Sequence, residues 1–131
     1  MRYLLDTQTI IWFVENDKRL SPFAKKLIED SNNDIFVCQF SYIEMAIKEA
    51  LNKLVLQNGL KSFIQEVETQ NIEVLTLRQS HILAYGQIPL NENHKDPFDR
   101  MIMATAFAED ITIISVDDKF SCYSGLINVV W

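Results

Sequence analysis

Four carboxylates sit where the chain changes its local pattern. Asp6 closes the apolar run YLL, Glu44 lies in SYIEMAIK, Asp99 lies in HKDPFDRMIMATAFAED, and Asp117 follows TIIS. Carboxylates gathered at one place exchange protons or hold hard divalent cations, because bare anions side by side repel unless protons or metal ions separate them. Asp99 is the most telling of the four. On a wheel of about 100° per residue, Met103 and Phe107 fall within about 80° of it on one side and Ile102 and Ala106 within about 60° on the other. The carboxylate therefore shares the apolar face of its helix, and a buried carboxylate must be paired, hydrogen-bonded or bound to a metal.

Each acid also has a local explanation. Asp6 can cap the helix that follows it, Ser41 and Glu44 match an S-x-x-E capping box, and Asp117-Asp118 suits a polar turn. Asp99 falls at the third position of a helix capped by Asp96 and begun by Pro97, where negative charge favours the helix N-terminus. What separates these readings is whether the fold brings the four acids together.

The elements that would do so can be read in order. YLLD and DIFVC (Asp34 to Cys38) are short apolar strands, followed respectively by the helices TQTIIWFVEN and SYIEMAIKEALNKL. SPFAKKLIED adds a helix with Ser21 as N-cap and Pro22 at the first position. Gly59 marks a break before the helix LKSFIQEVETQ, IEVLTL is a strand, and RQSHILAYGQI is a short helix. Pro89 to Lys95 is a polar loop, and the Asp99 helix leads into the strands TIIS and NVVW. Apolar strands alternating with amphipathic helices predict an α/β fold with a parallel sheet covered on both faces. In such a sheet ligands bind outside the carboxyl ends of the strands, where the four acids stand.

At 131 residues, 48% of them hydrophobic, the chain suits one domain spanning residues 1–131. No apolar run approaches the roughly 20 residues needed to cross a bilayer and no signal-peptide pattern opens the chain, which predicts a soluble intracellular protein. Cys38 and Cys122 stand far apart with no metal-binding spacing and read as reduced thiols. The net charge of −6 is unlike that of a protein that coats nucleic acid. Residues 1–61 hold eight Lys/Arg and eight Asp/Glu, whereas residues 62–131 hold four and ten, so the excess lies in the second half. A polyanionic substrate would have to be met by bound cations or by a local basic patch from the first half, where Trp12, Phe13, Lys25 and Lys26 are candidates for part of a surface that meets either nucleic acid or a protein partner. Mg²⁺ or Mn²⁺ suits an all-carboxylate inventory, and one or two such ions can activate water and stabilise the leaving oxygen of a phosphodiester. The histidines offer no rival site: His81 falls in a helix as a core-edge or surface residue, and His94 in the loop before the Asp99 helix.

Taken together, LLDT, S-x-x-E-M-A-I-K, HKDPFDRMIMATA and S-x-D-x-x-F closely resemble, in order and spacing, the PIN-domain ribonucleases, particularly the VapC-type toxins of bacterial toxin–antitoxin pairs. The resemblance covers essentially the whole chain. It implies a three-layer α/β/α sandwich with a central parallel sheet, Mg²⁺-dependent cleavage of RNA in the cytoplasm, a homodimer, and inhibition by a small cognate VapB-like antitoxin. Carried over by position, its acidic site falls on Asp6, Glu44, Asp99 and Asp117. Asp6 and Asp99 would be direct metal ligands, Glu44 would bind metal or orient its water, and Asp117 would complete the site. Thr7 and Ser115 would supply supporting hydroxyls. Arg100 and Lys48 would meet phosphate, although Glu44 and Lys48 are also spaced for an i,i+4 ion pair. Ile43 departs from the tryptophan, and Ser115 from the threonine, usual in that family. A haloacid-dehalogenase-like phosphatase would need an acid at Gln8, and a phosphoacceptor receiver domain an acid after IEVLTL. A non-catalytic PIN-like module that binds RNA or protein remains the other reading.

Overall fold

In the computed structural model, which describes residues 1–89, 96–123 and 125–131, five strands form one parallel sheet. They are β1 (Arg2–Leu5), β2 (Asp34–Cys38), β3 (Ile72–Leu75), β4 (Thr112–Ile114) and β5 (Val129–Val130), in the order β3-β2-β1-β4-β5. The helices are α1 (Thr7–Val14), α2 (Pro22–Glu29), α3 (Phe40–Ala50), α4 (Gly59–Thr69), α5 (Gln79–Gln87) and α6 (Pro97–Glu109), with a 3₁₀ helix at Asp118–Tyr123. Strand alternation divides the interior between two layers. Tyr3, Leu5, Ile35, Val37 and Ile114 pack with Ile10, Ala24, Met45 and Phe63 of α1 to α4. Leu4, Phe36, Cys38 and Ile113 pack with Ala84, Ile102, Met103 and Phe120 on the opposite face. The expected three-layer α/β/α sandwich is therefore present, built because each strand is apolar on both sides.

The strand order contains one reversal. From β1 the chain steps outward through β2 to β3, then returns across the other face through α5 and α6 to set β4 on the free side of β1. This is the point in a doubly wound sheet where the loops diverge and leave a crevice. Leu5 pairs with Ile114, so the next residues on the two strands, Asp6 and Ser115, emerge side by side at its floor.

Three helices end differently from expectation or without glycine. Asn16, Asn52 and Asp110 adopt left-handed backbone at φ 53°, 55° and 53°, a conformation that Asn and Asp tolerate better than other non-glycine residues. The expected helix SYIEMAIKEALNKL stops at Ala50, because Asn52 reverses the chain before Lys53 and Leu54. At its other end Gln39, not Ser41, is the N-cap, so the S-x-x-E capping box does not form and Ser41 lies inside the helix, fully buried. Ser21 and Pro22 open α2 as expected. Cys38 is a free thiol that burial pushes up to about 12, against a weaker hydrogen bond with Thr105, which leaves it unreactive. The loop residues 90–95, His94 among them, and the Cys122 side chain lie outside the described residues. Among the described residues no helix is long and apolar enough to cross a membrane.

His81 is interior, not at the core edge or surface, at 1% exposure. Its Nδ1 accepts the Arg78 N–H at 3.2 Å, which leaves the proton on Nε2 to be donated to Glu109 Oε1 at 2.8 Å, tying α5 to the end of α6. That hydrogen bond, against a smaller opposing effect of burial and with Arg78 and Arg2 nearby, holds the Glu109 carboxyl below its ordinary value. The associated stability is present above the ordinary carboxylate range, near pH 4.3, and is lost as pH falls through the depressed value. Glu109→Ala is expected to cost about 1–2 kcal/mol at pH 7, and the gap to the unmodified protein should narrow at pH 3. Urea denaturation at the two pH values checks this; an equal gap at both would rule out a charge-dependent role.

Candidate active site

Asp6 is the N-cap of α1, and its two carboxylate oxygens have different partners. Oδ1 accepts the Thr9 N–H at 2.8 Å, as a cap should, while Oδ2 accepts the Ser115 hydroxyl across the β1–β4 seam. Ser115 Oγ also accepts the Asp117 N–H at 3.0 Å, and Thr9 Oγ1 donates to the Ile114 carbonyl at 3.0 Å. Burial pushes the Asp6 carboxyl above its ordinary value and the charge of Asp117 adds to this, against the hydrogen bonds from Ser115 and Thr9. The cap and the inward-facing carboxylate, alternatives in sequence, are one side chain used twice.

Glu44 projects from α3 into the same crevice and is itself buried. Thr7 Oγ1 lies 2.6 Å from Glu44 Oε1 and 3.0 Å from Ser41 Oγ. A carboxylate only accepts and a hydroxyl has one proton, so Thr7 donates to Glu44 and accepts from Ser41. The other oxygen, Oε2, is paired with Lys48 Nζ at 2.7 Å, the i,i+4 ion pair. Burial disfavours the Lys48 ammonium, but the hydrogen bond and charge of Glu44, with the charges of Asp96 and Asp99, outweigh this and raise its pKa.

Asp96 caps α6, its Oδ1 accepting the N–H groups of Phe98 at 2.8 Å and Asp99 at 3.2 Å. Asp99 stands at the third helical position, and Asp117 Oδ1 accepts the Lys119 N–H at 2.9 Å at the start of the 3₁₀ helix. Asp6, Glu44, Asp96, Asp99 and Asp117 all line one cavity of about 380 Å³, together with Lys48, Lys53, Gln8, Thr7 and the apolar Ile11, Leu54 and Val116. The four acids singled out in the sequence are thus placed around a single space. Two further charged residues, Asp96 and Lys53, line the cavity without being marked for it by the sequence pattern. Asp96 reads as a cap, although its three-residue spacing from Asp99 is a usable signal; Lys53 carries none, since the local pattern continues the helix through it.

Arg100 is a correction. Expected to meet phosphate, it points the other way and is 2% exposed. Its guanidinium donates to the carbonyls of Ile88 and Pro89 at 3.1 Å each, lies 3.4 Å from the Tyr123 hydroxyl, and covers the Tyr85 ring at 4.9 Å. One residue after Asp99 is about 100° round the helix, enough to turn the side chain away from the cavity and toward the end of α5 in the same layer. Trp12 and Phe13 are partly buried, Trp12 against Trp131 at 5.9 Å with Arg19 over its ring, while Lys25 and Lys26 are exposed on α2.

The donor set suits a hard divalent cation: every anionic lining group is a carboxylate, and Asp6 is a buried acid beside another acid, an arrangement that a cation relieves. Among the described residues, no three His, Cys, Asp or Glu side chains are gathered so as to enclose an ion alone. Mg²⁺ does not require that, since it keeps several waters and takes one or two carboxylates plus phosphate oxygens.

Comparison with known proteins agrees with this architecture. VapBC-1 from nontypeable Haemophilus influenzae is similar with a TM-score of 0.67 and 20% identity over 99% of this chain and 97% of that one. VapBC2 from Rickettsia felis, bound to a DNA fragment from its promoter, gives 0.69 and 17% over 99% and 98%. DNA-bound VapBC from Salmonella typhimurium gives 0.70 and 14% over 99% and 97%. At these identities the likeness is one of fold. No curated protein matches the chain. The family model described as the PIN domain matches residues 3–126, nearly the whole chain, and the protein accordingly belongs to the PIN domain family.

Proposed function

We propose that this chain is a divalent-metal-dependent endoribonuclease, one catalytic domain over residues 1–131, acting as the toxin of a cytoplasmic toxin–antitoxin pair. The observation that carries the reading is the cavity at the β1–β4 switch point, where acids from five separate positions of the chain face one another. In this reading Asp6 and Asp99 hold Mg²⁺ or Mn²⁺, with Asp117 completing the site. The ion supplies neutralisation of the phosphodiester charge and a lowered pKa for water.

The chain's own groups do the rest. Ser115 and Thr9 fix the two oxygens of Asp6, and Ser115 carries the Asp117 backbone with it. Thr7 and Lys48 hold Glu44 from opposite sides, so its carboxylate is fixed where it orients the attacking water and takes its proton. The water oxygen would then bond to phosphorus as the bond to the leaving oxygen breaks, with Glu44 keeping the proton of the water and the leaving oxygen taking one from solvent. The family supports hydrolysis of nucleic acid. The likeness to VapBC assemblies supports a VapB-like antitoxin as partner, and a homodimer as the working form belongs to the same proposal.

Two outcomes test this. Cleavage of RNA by the purified protein is expected to require Mg²⁺ or Mn²⁺ and to stop on addition of EDTA; cleavage that resists chelation, with contaminating nuclease excluded, contradicts the mechanism. Asp99→Asn removes one of the facing negative charges, so the metal-free mutant should stay within about 1 kcal/mol of the unmodified protein or exceed it. It should lose most of the Mg²⁺-induced rise in melting temperature, which follows the affinity of the folded state for the ion. RNA cleavage should fall by about 10²-fold or more. Melts with and without Mg²⁺, beside a cleavage assay, decide the matter: a less stable but active mutant would leave Asp99 with a helix-terminal role alone.

A further inference from the structure

On the nuclease reading, a polyanion must enter a cavity that is lined, among the described residues, by five carboxylates and two lysines. Those lysines are not equivalent. Lys48 is held by Glu44 at 2.7 Å, and its ammonium also lies in the field of Asp96 and Asp99. Among the described residues Lys53 forms no ion pair, and its side chain is exposed at the rim.

The backbone explains how Lys53 arrives there. The Lys53 N–H donates to the Lys48 carbonyl at 2.8 Å and the Asn52 N–H to the Glu49 carbonyl at 3.0 Å, with Asn52 at φ 55°. These are the paired bonds of a Schellman motif, which satisfies the last carbonyls of a helix and turns the chain back on itself. The reversal brings Lys53 and Leu54 over the cavity when a continued helix would have carried them past it. An ammonium on a flexible stem is a compact point charge with three donors, suited to a single phosphate oxygen.

We propose that Lys53 is the residue that grips a backbone phosphate of the RNA at the mouth of the acidic cavity, while Lys48 serves Glu44. The proposal rests on the nuclease reading and adds to it a substrate contact set by the end of α3. Lys53 is a binding residue: it acts on substrate affinity and leaves the metal site alone.

The test uses the full chain with Mg²⁺ and a fluorescein-labelled single-stranded RNA of randomised sequence. Lys53→Ala should raise KM about 3- to 10-fold with kcat within about twofold, and make the fall of log kcat/KM with log salt shallower by about 0.7, one phosphate contact on a single strand. Lys53→Arg should restore the salt slope, and Asn52→Val, strained in left-handed backbone, should weaken RNA binding as Lys53→Ala does. All three should keep the Mg²⁺-induced melting shift, which also shows that they fold. If the unmodified protein cuts this RNA and Lys53→Ala matches it in KM and salt slope, the assignment falls and the nuclease reading stands. A mutant that loses kcat together with the Mg²⁺ shift, or one altered only in antitoxin binding, also overturns it. If the unmodified protein cuts no RNA, the nuclease reading fails and the assignment with it.

Discussion

One buried carboxylate at the seam between two strands organises this molecule. Asp6 follows directly on β1, and because Leu5 is in register with Ile114 it meets Ser115 as soon as both strands end. Its oxygens are divided between the start of α1 and the end of β4, so helix, strand and crevice are joined through a single side chain. Removal from water disfavours its charge, and Asp117 disfavours it further. Such a group is tolerated because the surrounding scaffold is rigid: Leu4, Leu5, Ile113 and Ile114 are wholly buried immediately behind it. The core supplies the stability that a cluster of like charges withholds.

The same electrostatic problem sorts the basic residues near the site into separate tasks. Arg100 offers a planar fork and is weakly hydrated, which suits it to two carbonyls and an aromatic face in the interior. Lys48 reaches one carboxylate oxygen while staying half in water, cheap in desolvation and specific in direction. Lys53 extends from a backbone reversal and keeps its ammonium at the surface. Proximity in sequence to an acid therefore says little about whether a cation meets substrate. The helix face and the way the helix ends decide it.

Helix termini carry much of the construction. Of the three glycines in the chain Gly59 and Gly125 take positive φ, the left-handed positions that end α1, α3 and α6 fall to Asn16, Asn52 and Asp110, and the acids that line the cavity are in several cases also caps or first-turn residues. Electropositive helix N-termini and acidic side chains favour each other, so a crevice ringed by helix starts is a place where carboxylates accumulate at modest cost. A cap reading and a ligand reading of Asp6 are then not competitors.

The sequence by itself determined the layers and the acids. Strands apolar on both sides require helices on both faces, and the Ser21-Pro22 and Asp96-Pro97 signals mark helix starts through chemistry confined to one turn. The wheel around Asp99 showed a carboxylate on an apolar face for the same reason, since 100° per residue is a local property. Only the tertiary structure decided the rest. That α3 stops at Ala50, that Ser41 is interior and not a cap, that His81 is interior and Arg100 turns toward α5, and that Lys53 reaches the cavity all depend on what packs against each segment. Strand order is of the same kind: placing β4 beside β1 joins residues 109 positions apart, Asp6 and Ser115, through burial gained over the whole sheet, and no window of neighbouring residues contains that term of the free energy.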